Sequence, residues 1–183
     1  MIQKFFKNKK VLITGHTGFK GSWLTRILLN WGSEITGIAL RPDTRPNLFD
    51  LLGTEKEIKN YFCDIRIFPE IKNIFLKQKP EIVFHLAAQP LVRESYEDPL
   101  YTFQTNIIGT ANILQAAKEA GGTKSIVVIT TDKVYEDKKR SDIFYKENDK
   151  LGGYDPYSSS KAGAELIVSS YLKSFFNPKD YGK

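Results

Sequence analysis

Apolar positions follow two rhythms along this chain. Short runs rich in β-branched residues predict buried strands at Lys10–Thr14, Glu34–Leu40, Ile58–Cys63, Glu81–Leu86 and Ser125–Thr131. Between them, apolar residues return every three or four positions. Trp23, Leu24, Ile27 and Leu28 predict a helix stopped by Gly32, and Phe68–Lys77 predicts another. A short helix at Leu48–Leu52 is expected inside a loop-like stretch from Arg41-Pro42-Asp43 to Glu57. A long helix is predicted from Asp98 to Ala120, with Pro99 in its first turn and Gly121-Gly122 closing it. The stretch Lys133–Asp155 mixes charges and reads as loop outside the core. Pro156 opens a last helix through Leu172, with Asn177-Pro178 closing it.

Strand and helix alternate with crossover-length connections, so the strands are expected to run parallel with helices on both faces. The fold class is therefore α/β, a doubly wound parallel sheet of the Rossmann type, without internal repeats or low-complexity linkers. Such sheets bind ligands outside the carboxyl ends of their strands. Every motif discussed below sits at such an end.

Composition narrows the function. The chain has 183 residues, 27 basic and 21 acidic, for a net charge of +6, with 41% hydrophobic and 26% charged residues. That is the profile of a soluble globular domain with enough apolar residues for a core. The longest apolar runs, near Ile82–Leu86 and Ile126–Ile129, fall far short of the ~20 residues of a membrane helix. The basic stretch Met1–Lys10 holds only the Phe5-Phe6 pair and lacks the apolar core of a secretion signal. The single cysteine, Cys63, permits no internal disulfide and no metal-type spacing, so no metal site is expected and the reducing cytoplasm is the expected setting. Lys4, Lys7, Lys9 and Lys10 at the start and Lys138, Lys139 and Arg140 later form no aromatic-interleaved basic stripe. A phosphate-bearing small ligand suits this charge better than nucleic acid.

Gly15-His-Thr-Gly18-Phe-Lys-Gly21 joins the first strand to the first helix. Glycines there permit a tight turn and let backbone N–H groups approach a pyrophosphate, which the helix dipole also favours. The spacing is G-x-x-G-x-x-G rather than the simplest dinucleotide fingerprint. At this junction it reads as a dinucleotide loop; elsewhere it would read as structural turns. Arg41 stands where an acid for the ribose 2′-hydroxyl is usual. It either accepts a 2′-phosphate or caps the strand end in solvent, so NAD and NADP both remain open on these grounds. Asp64, past the third strand, either accepts from an adenine amino group or starts a turn.

Tyr157-Ser-Ser-Ser-Lys161 sets a phenol and an ammonium four residues apart at a helix start, on one face. A free tyrosine titrates near ~10, and an adjacent positive charge favours the phenolate, which can then take a hydroxyl proton. With Thr131 at the end of the fifth strand, able to bond the same substrate oxygen, the pair reads as catalytic. Asp132 and Lys133 follow at once, as either an acid–base pair or a surface ion pair. His16 and His85 read as packed or backbone-contacting residues rather than metal ligands. Cys63 reads as a small core residue, and the Phe5-Phe6 and Phe175-Phe176 pairs as packing at element ends.

The glycine loop, Asp64-Ile65, His85-Leu-Ala-Ala88, Thr105-Asn106, Thr131 and Tyr157/Lys161 together resemble the extended short-chain dehydrogenase/reductase family across almost the whole chain. Gly15–Leu24, Ala87–Arg93, Thr131-Asp-Lys133 and Gly152–Ser158 resemble its sugar-nucleotide dehydratase branch acting on CDP-glucose. Sugar-nucleotide epimerases lack the Asp-Lys pair, and dTDP-glucose dehydratases carry Asp-Glu there. The resemblance implies NAD, held by Gly15, Thr17, Gly18, Phe19, Lys20, Gly21, Arg41, Asp64 and Ile65, by Leu86, Ala87, Ala88 and Gln89, and by Thr105, Tyr157 and Lys161. It implies catalysis by Thr131, Asp132, Lys133, Tyr157 and Lys161, ending in loss of water and a 4-keto-6-deoxy sugar. An epimerase or reductase keeps the Tyr-Lys chemistry without elimination and is the alternative, as is an inactive dinucleotide-binding fragment. The resemblance further implies a homo-oligomer, a dimer built from the long helix and the Tyr157 helix, and a place in surface polysaccharide biosynthesis.

Members of that family run about twice as far, consistent with a second lobe that grips substrate. Residues 1–183 are thus expected to form the dinucleotide-binding domain with the substrate domain absent. An expressed fragment or the product of a split gene is expected to bind dinucleotide weakly and turn over little or nothing.

Overall fold

The structure is a computed structural model that describes residues 2–139 and 144–177. Arg140 of the basic run and Pro178 of the expected helix stop lie outside the described residues. The chain divides into two compact units, Met1–Ala87 with Gln115–Ile129, and Ala88–Leu114 with Thr130–Lys183.

The first unit carries the sheet. Its strands are β1 (Lys10–Thr14), β2 (Glu34–Ala39), β3 (Lys59–Phe62), β4 (Ile82–His85) and β5 (Ser125–Val128), in the order β3-β2-β1-β4-β5. Every neighbouring pair is parallel, with Val11 beside Ile35 on one side and Ile82 on the other. The strand order reverses between β1 and β4, which makes their carboxyl ends the ligand crevice of a doubly wound sheet. The helices of this unit are α1 (Ile2–Phe6), α2 (Phe19–Asn30), α3 (Leu48–Leu52) and α4 (Phe68–Gln78).

One core cluster joins Val11, Ile13, Leu28, Ile35 and Ile82, with Phe6, Leu24, Trp31 and Phe84 packed against it. Half of the apolar stripe expected on α2 is absent from this core. Leu24 and Leu28 turn inward, whereas Trp23 and Ile27 are 46% and 40% exposed. The inner face of α2 is instead small and polar, with Gly21, Ser22 and Thr25 buried. Helix α1 buries no residue, so no apolar rhythm announced it. Strand β5 is shorter than expected and stops at Val128, leaving Thr131 beyond the strand.

The second unit is helical. It holds α5 (Val92–Glu97), α6 (Pro99–Phe103), a π-helical segment at Gln104–Ile108, the start of α7 (Gly109–Ala120) and α8 (Pro156–Phe175). The long helix expected over Asp98–Ala120 is therefore real but not uniform. Helix α5 was not foreseen because it buries only Ser95. The charged stretch after Lys133 also holds more order than expected. A 3-10 turn at Asp132–Val134 buries Val134, and Tyr135 bridges Leu151 antiparallel. Gly152 and Gly153 then bring the chain against its neighbours. A Cβ on Gly152 would lie 2.9 Å from Cα of Glu136, and one on Gly153 would lie 2.5 Å from the Ser159 amide. Helix α8 starts at Pro156 behind Asp155, whose carboxylate accepts from the Ser158 amide and hydroxyl at 2.9 and 2.7 Å. Among the described residues no helix is long and apolar enough to cross a membrane.

Candidate active site

In the first unit the glycine loop closes on itself and on β4. Gly15 has φ +72°, and a Cβ there would lie 2.8 Å from the Ala87 amide. A Cβ on Gly21 would lie 2.0 Å from the Gly15 carbonyl oxygen, so only hydrogen fits. Gly18 precedes α2 with no side-chain cap, leaving the amides of that helix start for another acceptor. Phe19 and Lys20 are exposed on the first turn, and the Thr17 hydroxyl donates to the Leu40 carbonyl at 2.9 Å. A loop of this build fits a dinucleotide pyrophosphate: its glycines admit no side chain, and its free helix end favours an anion.

His16 is fully buried, its ring lying where a Cβ on Gly37 would approach to 2.6 Å. Its Nε2 pairs with Asn60 Oδ1 at 2.8 Å, and the ring meets Phe49 edge-on. Burial lowers its affinity for a second proton, against opposing pulls from the Ile38 backbone, Asn60 and Glu55. It is a packed residue, as expected. His85 is buried as well, with Nδ1 2.6 Å from Thr14 Oγ1.

Arg41 is exposed and lies over the Phe62 ring, 4.0 Å from its centroid. Asp64 starts a turn: its carboxylate accepts from the Arg66 amide at 2.9 Å and from Arg66 Nε and Nη2 at 2.9 and 2.6 Å. Burial opposes its charge, but the Arg66 bonds and charge together hold the carboxyl below its ordinary range. Ile65 beside it is buried. Cys63 is half-buried; burial pushes its thiol up to about 11, with the charges of Glu70 and Asp64 adding to it, so it is a poor nucleophile. Leu86 and Ala87 follow β4 and donate their amides to Thr14 Oγ1, each at 3.1 Å.

In the second unit Gln89 and Asn106 form a closed polar knot. Asn106 is 1% exposed; its Oδ1 accepts from the Gln89 amide at 2.8 Å and its Nδ2 donates to the Gln89 carbonyl at 3.0 Å. The same Nδ2 donates to Ser160 Oγ at 2.8 Å, linking the segment after Ala88 to α8. Gln89 Nε2 donates to Thr102 Oγ1 at 2.8 Å. Thr105, next to Asn106 in the π segment, is buried, and its Oγ1 has no hydrogen-bond partner. A buried orphan hydroxyl at such a place fits a ligand atom.

Helix α8 carries Tyr157 half-buried and Lys161 7% exposed, one turn apart. Burial lowers the Lys161 ammonium to about 8, with the charge of Glu165 opposing. Gly163, further along α8, packs against the π segment, where a Cβ would lie 2.6 Å from Ile107 Cδ1. Thr131 caps the 3-10 turn; its hydroxyl donates to Asp132 Oδ1 at 3.0 Å and accepts from the Lys133 amide at 3.4 Å. Asp132 and Lys133 are both exposed, and the Asp132 carboxylate takes the Thr131 hydroxyl rather than the Lys133 ammonium. Burial opposes the charge of Asp155, but the Ser158 bonds and then the charge of Lys133 hold its carboxyl below its ordinary range.

Thr105 and Gln89 are among the cofactor residues that the resemblance implies, and Asn106 among those that carry it. The contacts of Thr14, Asn106 and Ser160 have no sequence signal, since these are common polar residues whose value lies in whom they meet. Among the described residues no three His, Cys, Asp or Glu side chains cluster as a metal ion would require.

Residues 12–178 match the family described as GDP-mannose 4,6 dehydratase. A CDP-glucose 4,6-dehydratase of Salmonella typhimurium is 48% identical over 183 residues, covering 99% of this chain and 50% of that protein. A dTDP-D-glucose 4,6-dehydratase of Dictyostelium discoideum is 36% identical over 182 residues, covering 93% of this chain and 42% of its own. The crystal structure of Thermus thermophilus UDP-glucose 4-epimerase complexed with NAD superposes with a TM-score of 0.78 at 28% identity, covering 91% of this chain and 51% of the other. The chain thus spans about half the length of the curated relatives it matches.

Proposed function

Because the chain belongs to the GDP-mannose 4,6 dehydratase family, we propose that it serves an NAD-dependent sugar-nucleotide 4,6-dehydratase, a hydro-lyase acting on CDP-glucose. The observation that carries this reading is the buried Lys161 one turn beyond Tyr157, joined in the sequence by the Thr131-Asp132-Lys133 run. The similarity to the Salmonella dehydratase supports CDP-glucose, and the NAD complex of the Thermus epimerase supports the cofactor.

The loop from Gly15 to Gly21 would hold the pyrophosphate on backbone amides, and NAD so held would supply a hydride acceptor for sugar C4 and a hydride donor for C6. Tyr157 takes the proton from the sugar O4 while Lys161 keeps positive charge on that face of α8. Thr131 bonds the same oxygen. The 4-ketone so formed acidifies C5–H. Lys133 takes that proton, Asp132 gives one to the departing C6 oxygen, and water leaves. Lys133 returns its proton to C5 as hydride arrives at C6, giving the 4-keto-6-deoxy sugar.

Residues 1–183 are read as the dinucleotide-binding portion, working as a homodimer in the cytoplasm, where a free thiol such as Cys63 persists. Leu100, Ile108 and Leu166, which are 71%, 52% and 61% exposed on helical elements, support the dimer. The test is single turnover with protein and NAD in excess over CDP-glucose in deuterated water. Little turnover is expected of this portion; the product that does form should be lighter by one water, carry deuterium at C5 and be lost in Tyr157→Phe. A C4 epimer without loss of water would assign epimerisation instead, and failure to bind NAD overturns the reading.

A further inference from the structure

The last residue of the β5 connection before Thr131 makes a contact that the reaction above does not use. Thr130 Oγ1 donates to Glu165 Oε1 at 2.5 Å across 35 positions of sequence, with both residues part-buried. Glu165 lies four residues beyond Lys161 on α8, on the same helix face. One hydrogen bond therefore ties the segment bearing Thr131 to the helix bearing Tyr157 and Lys161. We propose that Glu165, held in place by the Thr130 hydroxyl, is a positioning residue that keeps the buried Lys161 ammonium charged and oriented along α8. The proposal rests on the proton-transfer reading of Tyr157 and Lys161.

The charge balance around Lys161 supports this assignment. Burial drives its proton off, and the charge of Glu165 resists. Among the described residues, the elements packed against α8 offer few other ionisable groups. The π segment has no ionisable side chain and α6 has Tyr101; α5 has Arg93, Glu94, Tyr96 and Glu97, and the 3-10 turn has Asp132 and Lys133, all six exposed. Such exposed charges are screened by solvent, whereas a part-buried carboxylate one turn away is not. The Thr130 bond fixes the carboxylate so that its field stays constant.

The test reads Lys161 directly by NMR titration of selectively 13C-labelled lysine, assigned with Lys161→Arg, and so needs no turnover. Glu165→Gln keeps an acceptor for Thr130 but removes the charge, and the Lys161 midpoint is expected to fall below its wild-type value of about 8. Thr130→Val is expected to lower it by less, and Thr130→Ser to restore it, with thermal melts showing each variant folded. A Glu165→Gln titration that overlays wild type overturns the proposal, as do Thr130→Val and Thr130→Ser curves that both overlay it. A shifted midpoint in a chain that epimerises C4 without losing water would uphold the positioning role and remove the reaction assigned above.

Discussion

Thr14 and His85, the last residues of β1 and β4, meet side chain to side chain at 2.6 Å where the strand order reverses. Thr14 Oγ1 already accepts the amides of Leu86 and Ala87. Both of its lone pairs are engaged, so its proton points to His85 Nδ1. The latch shapes the turn on which Gly15 rests.

Thr14→Val removes the hydroxyl without changing volume and leaves the Ala87 amide and His85 Nδ1 buried without it. A loss of roughly 2–4 kcal/mol is expected from urea unfolding, with Thr14→Ser close to wild type.

The two loop glycines should behave differently. A Cβ on Gly21 meets the Gly15 carbonyl oxygen at 2.0 Å, and one on Gly18 meets it at 3.4 Å. Gly21→Ala is expected to abolish NAD binding in calorimetry and lower the melting temperature. Gly18→Ala is expected to cost under about 1 kcal/mol.

Lys161 gives a pH signature of its own. Its ammonium titrates at about 8 in the fold against an ordinary 10.5. Between those values the unfolded chain holds the extra proton, so stability rises with pH across that window, and the cost of burying the charge is complete below it. Lys161→Met is therefore expected to unfold later than wild type at pH 7, by on the order of 3 kcal/mol, with the advantage fading toward pH 10. Denaturant midpoints at the two pH values check this.

Asn106 uses both ends of its amide on the Gln89 backbone and on Ser160. Asn106→Ala is expected to lose roughly 3 kcal/mol. Hydrogen exchange at the Gln89 amide should rise before exchange at β1.

The sheet was legible because its central strands are buried on both faces: Val11, Leu12 and Ile13 read as one apolar run, and glycine punctuates the crossover. The loop glycines and the Tyr157–Lys161 spacing were legible because each depends on local geometry. The contacts of Asn106 and Glu165 were not. Their partners lie 17 and 35 positions away, and nothing in the local pattern distinguishes them from other polar helix residues. Trp23 and Ile27 misled because helical spacing gives a stripe but not the direction it faces.

The π-helical turn at Gln104–Ile108 adds a residue to one turn of an otherwise regular helix. Each residue of an α-helix rotates the chain by ~100°, so the addition offsets the phase of α6 against α7. Buried Thr102 and the inward pair Thr105 and Asn106 keep one bearing, while Ile113 and Leu114 further along keep another. Excising a single residue from this turn would leave the helix intact yet aim Thr102 elsewhere, disengaging Gln89 although every amino acid that touches it was still present.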